Sequence, residues 1–188
     1  TPIFHKLIVK QKKIELPVCI LNIGGISNIT AINGYELNDL TSRDIGPGNC
    51  LIDEWIRNKS GKKFDENGVI SKNGKTNIAT LNQALDTFDN QKTKKLLSLD
   101  IKDFDLGFVR GLSLEDGAST LIDFSAKIIS EELLIFLSKI KDKMWRVLLC
   151  GGGRKNTTLI EQIKNQSSRN VNIQNIDPIT FELQTYSP

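Results

Sequence analysis

The chain has 188 residues, 39% hydrophobic and 25% charged, an ordinary globular composition with room for one good core or two small ones. Its 25 basic and 22 acidic residues leave a net charge of +3, too small and too scattered to imply a nucleic-acid partner. No run of eighteen apolar residues occurs, so no membrane-spanning helix is expected.

Cys19, Cys50 and Cys150 are far apart and odd in number, as reduced core thiols are. His5 is the only histidine, and without CxxC or HxxxH spacing no metal site built by protein alone is expected. These features suit a reducing, cytoplasmic setting. The opening "TPIFHK" carries no signal-peptide pattern and reads as the interior of a longer sequence.

In chain order, "LPVCILNI" (16–23) is an apolar, β-branched run and reads as a buried strand. "SNITAI", Asn33-Gly34 and "YELNDL" then suggest a hairpin, because Asn-Gly suits a tight turn with positive φ. Three antiparallel strands are predicted at about 17–23, 27–32 and 35–40. "TSRDIGPGN" (41–49) reads as a polar, glycine-rich loop. Leu51, Ile52, Trp55 and Ile56 follow at helical spacing, with Asn49 as the predicted N-cap.

Residues 60–75 are turn-rich, with Asn-Gly at 67–68 and 73–74. Ile78, Leu81, Leu85 and Phe88 mark a short helix, and 89–112 reads as irregular and charged. "SLED" opens the longest helix, with Ser113 and Asp116 spaced as a capping box. Its stripe runs through Leu121, Ile122, Ser125, Ile128, Ile129, Leu133, Phe136, Leu137 and Ile140. A strand at "WRVLLC" (145–150), a helix near 156–166 and a strand at "VNIQNI" (171–176) complete the chain. The order predicts an α/β fold, a mixed βββαβαβ sheet with flanking helices.

Three glycine-rich stretches carry the chemistry. Gly24-Gly25 lies between two strands, where stripped main chain serves either a turn or an anionic phosphate. Gly151-Gly152-Gly153 sits where a strand passes into a helix, a place where open α/β sheets bind ligands. "GGGRKN" is neither GxGxxG nor GxxxxGK[ST], and its bland alternative is a tight turn capped by Asn156. In "DIGPGNCLID", Asp44, Asn49 and Asp53 surround a stiff Gly-Pro-Gly turn. They either orient magnesium and a sugar hydroxyl or cap local backbone. Asp100, Asp103 and Asp105 form an acidic cluster that reads as solvated, and Trp55 and Trp145 read as core residues. Two glycine surfaces on one sheet are suited to pinching a nucleotide.

The sequence resembles anhydro-N-acetylmuramic acid kinases, members of the sugar kinase, Hsp70 and actin superfamily. The resemblance rests on "LNIGGISNIT", "DIGPGNCLIDEWI", "FDENGVISKNG", "SLEDGASTLIDFSA" and "LLCGGGRKN", in family order, to about residue 176. It implies one lobe of an actin-like ATPase fold with a ribonuclease-H-like core. Residues 1–188 would form a single domain, the C-terminal lobe, with a substrate-side insert at about 60–112 and the N-terminal lobe absent.

The resemblance places Gly24, Gly25 and Asn28 on the second phosphate loop, and Gly151, Gly152, Gly153 and Asn156 on the adenosine side. Asp44, Gly46, Gly48, Asn49 and Asp53 fall on the substrate or magnesium side. The implied reaction is ATP- and magnesium-dependent: water opens the 1,6-anhydro ring and the 6-oxygen is phosphorylated, a step in peptidoglycan recycling. The family's first phosphate loop and catalytic base would lie before Thr1.

Two stretches depart from the family pattern. A Pro-Lys-Ser stretch appears as Leu96-Leu97-Ser98, and "DPITFELQTYSP" stands in place of a C-terminal helix. Three readings follow: a kinase lobe inactive alone and completed by a complementary N-terminal chain, a non-catalytic nucleotide-binding remnant or decayed gene product, and another sugar or acetate kinase of the superfamily. "DIGPGNCLIDEWI" fits the first family best. An uncovered domain-facing surface would make the chain self-associate.

Overall fold

A computed structural model describes residues 2–92, 104–138, 145–168 and 170–176. Five strands form one sheet in the order β3-β2-β1-β4-β5. β1 (Val18–Ile23) is central, with β2 (Ile26–Ile32) antiparallel on one side and β4 (Trp145–Cys150) parallel on the other. β5 (Val171–Asn175) runs parallel beside β4. The expected mixed βββαβαβ sheet is what forms.

β1 is covered on both faces, which is why it reads as an unbroken apolar run. Cys19, Leu21 and Ile23 face the main core, with α2 (Cys50–Ser60), α5 (Leu114–Ser138) and α6 (Thr157–Gln166). Val18 and Ile20 face a smaller cluster that includes Val9 of α1 (Pro2–Gln11). Trp55 is a core residue, as expected, and its Nε1 donates to the Leu114 carbonyl at 2.9 Å. A side chain at Gly117 would meet that indole ring.

β3 differs from expectation: it spans Leu40–Pro47, not 35–40, and absorbs most of the stretch read as a loop. Asn33-Gly34 does not close a two-residue turn. It opens a wider connection, fastened by Asn33 N–H to the Asp39 carbonyl (3.0 Å) and Glu36 N–H to the Asp39 carboxylate (2.9 Å). Thr41, Ser42 and Asp44 are polar because β3 is an edge strand exposed along one side. Pro47 is tolerated because it ends that edge strand.

Among the described residues, the stretch expected to be an insert holds two α-helices, α3 (Val69–Lys72) and α4 (Ile78–Lys92), the latter four residues longer than its apolar markers. The buried Asp65 carboxylate accepts from Ile70 N–H, Ser71 N–H and Ser71 Oγ at 2.7–3.0 Å, holding α3. Half of the expected capping box forms: Ser113 Oγ accepts Asp116 N–H at 3.1 Å. The Asp116 carboxylate instead accepts Lys75 N–H at 2.8 Å, tying the α3–α4 connection to α5. Asp100, Asp103, Leu96-Leu97-Ser98, Ile140 and 177–188 lie outside the described residues, as does the Trp145 side chain.

His5 joins α1 to the sheet. It is 2% exposed, with Nδ1 2.9 Å from Thr30 Oγ1 and Nε2 3.8 Å from Cys150 Sγ. Burial lowers its pKa from 6.5 to about 4. The folded state therefore binds the proton less readily than the unfolded chain. The stability this gives is fully present above 6.5 and is lost as pH falls from 6.5 towards 4.

The loss should reach about 2–3 kcal/mol, read from urea midpoints at pH 7 and pH 4 and compared with His5→Gln, which should be flatter. An equal pH dependence in that variant would contradict the assignment. Gly117→Ala should cost about 1–3 kcal/mol by overpacking against Trp55. Gly111→Ala, where an added carbon meets nothing within 4 Å, should be near neutral in the same measurement.

Candidate functional site

The turn between β1 and β2 is fastened to the start of α2. Gly48 N–H and Cys50 N–H donate to the Gly25 carbonyl (2.8 and 3.3 Å), and Asn49 N–H donates to the Gly24 carbonyl (2.8 Å). In a trans peptide the carbonyl and the following N–H point in opposite directions. The amides of Gly25 and Ile26 therefore point away from α2. A side chain at Gly48 would collide with the Gly24 carbonyl, so the approach needs a glycine there.

Beside this turn the β2–β3 register breaks. Ser27 pairs with Gly46 and Asn28 with Asp44, leaving Ile45 as the extra residue of a bulge. Asp44, exposed, stands at the strand edge opposite Asn28. Gly46 faces the other way: a side chain there would strike Ile128 of α5, so its role is helix–sheet packing. Three buried oxygens around the turn, Ser27 Oγ, Asn28 Oδ1 and Asn49 Oδ1, have no hydrogen-bond partner among the described residues. Unsatisfied acceptors of this kind are uncommon in a closed core and mark a place where a ligand or water completes the bonding.

The three glycines after β4 divide by function. Gly151 has φ +83°, and a side chain there would meet the Ile23 carbonyl and Asn22 Oδ1. One at Gly153 would strike the Ile23 side chain. Both are glycines because the chain packs on the end of β1. Gly152 has open space within 4 Å of where a side chain would start. It lines a cleft of about 370 Å³ together with Asn49, Asp53, Phe64, Lys155 and Asn156.

Asn156 also caps α6, accepting Leu159 N–H at 3.1 Å, so the bland reading of that residue holds too. Asn49 stands at the N-cap position of α2, but its side chain makes no cap bond. Burial raises the pKa of the half-buried Asp53, with Arg57 opposing and Asp65 adding to the rise.

The predicted residues therefore fall into two connected groups. Asn49, Asp53, Gly152 and Asn156 share the cleft, while Gly24, Gly25, Asn28, Gly48 and Asp44 surround the adjoining turn and bulge. Phe64 and Lys155 were not singled out from sequence, although "FDENGV" and "GGGRKN" contain them. All three thiols are free, and burial is the main cause that pushes Cys50 and Cys150 up to about 11, which keeps them protonated. A second cavity, of about 570 Å³, is lined by Phe88, Phe104, Phe108, Phe124 and Asp105 and carries none of the predicted site residues. Among the described residues no group of three or more His, Cys, Asp or Glu side chains converges on a metal position.

A family model described as anhydro-N-acetylmuramic acid kinase matches residues 1–186. The chain belongs to the anhydro-N-acetylmuramic acid kinase family. It is 52% identical over 176 residues to the anhydro-N-acetylmuramic acid kinase of Pelagibacter ubique (strain HTCC1062), covering 94% of this chain and 47% of that protein. Identity to the Zymomonas mobilis kinase is 36%, over 86% of this chain and 42% of that one. The chain thus spans about half the length of these relatives.

Among solved structures, the activator of the 2-hydroxyisocaproyl-CoA dehydratase from Clostridium difficile, with bound ADPNP, is similar at TM-score 0.52 and 16% identity. The match covers 87% of this chain and 55% of that one. That likeness shows the fold: an α/β lobe of the actin-like ATPase type.

Gly151→Ala and Gly153→Ala should each lower stability by about 1–3 kcal/mol, whereas Gly152→Ala should stay within about 0.5 kcal/mol. Thermal melts of the three variants decide this. A Gly152→Ala loss as large as the other two would contradict an open cleft floor.

Proposed function

We propose that this chain forms one wall of the active cleft of an anhydro-N-acetylmuramic acid kinase, with ATP and the anhydro amino sugar as substrates. The observation that carries the reading is the joining of the Gly24-Gly25 turn to the cleft holding Asn49, Asp53, Gly152 and Asn156 in a chain of this family. Gly25 and Ile26 amides suit the phosphates, and the bare Gly152 backbone suits the adenosine side. The unpartnered Asn28 and Asn49 oxygens supply acceptors within the same region.

The proposed reaction is hydrolytic opening of the 1,6-anhydro ring with phosphorylation of the 6-oxygen from ATP, serving peptidoglycan recycling in the cytoplasm. Among the described residues no helix is long and apolar enough to cross a membrane. Main-chain amides aimed at the transferring phosphoryl group stabilise charge as it develops. Asp53, Asp65 and Glu66 bring carboxylates to the cleft lining and Asp44 one to the adjoining bulge, and of these Asp44 and Asp53 suit a sugar hydroxyl or water. They fit magnesium carried by the nucleotide rather than a cage built by protein alone, and magnesium so bound supplies charge neutralisation. The first phosphate loop and the catalytic base are assigned to the family's other lobe, as a complementary N-terminal chain or part of the same protein.

Ile3, Phe4 and Leu7 of α1 are 51–64% exposed and give self-association an apolar surface. The runner-up reading is a non-catalytic nucleotide-binding remnant or decayed gene product of the same family.

Calorimetric titration with magnesium-ATP should show saturable binding, weakened at least about tenfold in Gly25→Val. Adding the N-terminal half of a relative should then yield ATP-dependent phosphorylation of the anhydro sugar. Binding without any turnover in the reconstituted pair would favour the remnant. No binding by a folded chain would contradict both readings.

A further inference from the structure

Among the described residues, Phe64 is the one apolar side chain on the lining of the cleft that holds Gly152, and it is 53% exposed. Four phenylalanines find aromatic partners: Phe88 stacks on Phe104 at 6.0 Å, Phe124 lies edge-on to Phe88 at 6.2 Å, and Phe108 lies 5.3 Å from Phe124, whereas Phe4, 51% exposed, shows no ring contact among the described residues. Phe64 makes no such ring contact among the described residues. Leaving a ring half in water forgoes about 1 kcal/mol or more of burial, which a planar ligand laid against it would recover.

The mount beneath the ring is rigid. The next residue, Asp65, is 3% exposed and holds α3 through three hydrogen bonds of 2.7–3.0 Å. The Asn67 and Gly68 carbonyls accept Thr157 Oγ1 (2.6 Å) and Thr158 Oγ1 (2.8 Å), locking the loop to the start of α6. Asn67 and Gly68 themselves adopt left-handed φ of 56° and 72°, which turns the loop back sharply. α6 begins just after the Gly152–Lys155 turn, so these bonds fix Phe64 relative to the bare backbone of Gly152.

We propose that Phe64 is the stacking platform for the nucleobase, with the open backbone of Gly152 as the facing wall. This rests on the nucleotide reading of the cleft. A planar base suits a slot between an aromatic ring and a peptide that lacks a side chain. Lys155 places a cation on the same lining. Phe64 is thereby a specificity-determining residue: it favours nucleotides over inorganic polyphosphates as ligands.

The test is calorimetric titration of the 188-residue chain and its Phe64→Ala and Phe64→Tyr variants with magnesium-ADP, tripolyphosphate and the anhydro amino sugar. Phe64→Ala should weaken ADP about 5- to 150-fold and leave tripolyphosphate unchanged. Phe64→Tyr should bind ADP within about twofold of the parent, and because the ring is exposed both variants should melt as the parent does. Unchanged ADP affinity in Phe64→Ala overturns the platform while leaving the nucleotide cleft standing. Equal weakening of ADP and tripolyphosphate overturns it too, as does weakening confined to the sugar. Failure of the parent chain to bind ADP overturns the nucleotide reading and the platform with it.

Discussion

The carbonyls of Gly24 and Gly25 accept the three amides at Gly48, Asn49 and Cys50, and the site is organised around that fastening. The bonds join the tip of the β1–β2 hairpin to the start of α2, about 75 Å of backbone contour along the chain at the ~3.3 Å reach of each residue. They also set the orientation of the peptides at the tip, turning the Gly25 and Ile26 amides away from α2. A helix N-terminus ordinarily has orphan amides to satisfy. Here the Asn49 and Cys50 amides are satisfied by the turn.

Some glycines of this fold are required by packing, and others, Gly61 and Gly111 among them, are not. Gly46, Gly48, Gly117, Gly151 and Gly153 are glycines because another part of the chain already occupies the space of a side chain. Gly24 has only ordinary contact there, with the Ile26 carbonyl at 3.4 Å, and Gly152 faces open space. Packing inside the protein does not require bareness at these two positions. Gly152 borders the cleft, and the Gly24 carbonyl is bonded to Asn49 on the cleft's lining.

Strand and helix identity was legible because buried faces impose periodicity: β1 reads as a continuous apolar run, and α5 and α6 as stripes. The β3 boundaries were not, because an edge strand that faces solvent and ends at Gly46-Pro47 has the composition of a loop. Asn33-Gly34 suggested a tight hairpin, yet the connection is set by Asp39, whose carbonyl and carboxylate bind residues on both sides of it.

The glycine stretches were legible as a set, whereas the division between packing and open glycines depends on which atoms lie opposite, information that no spacing holds. Phe64 escaped notice for the same reason: an aromatic residue between two lysines and two acidic residues gives no sign of whether it is buried or exposed.

The most direct test of a nucleotide wall built on these two bare surfaces is a glycine-selective 15N NMR titration with magnesium-ADP. The 14 glycine amides report on packing and open positions in a single spectrum. Gly24, Gly25 and Gly152 should shift most, with Gly151 and Gly153 following and Gly61 and Gly111 still. Shifts concentrated at Gly107, beside the phenylalanine-lined cavity, or no shifts in a folded chain, would contradict it.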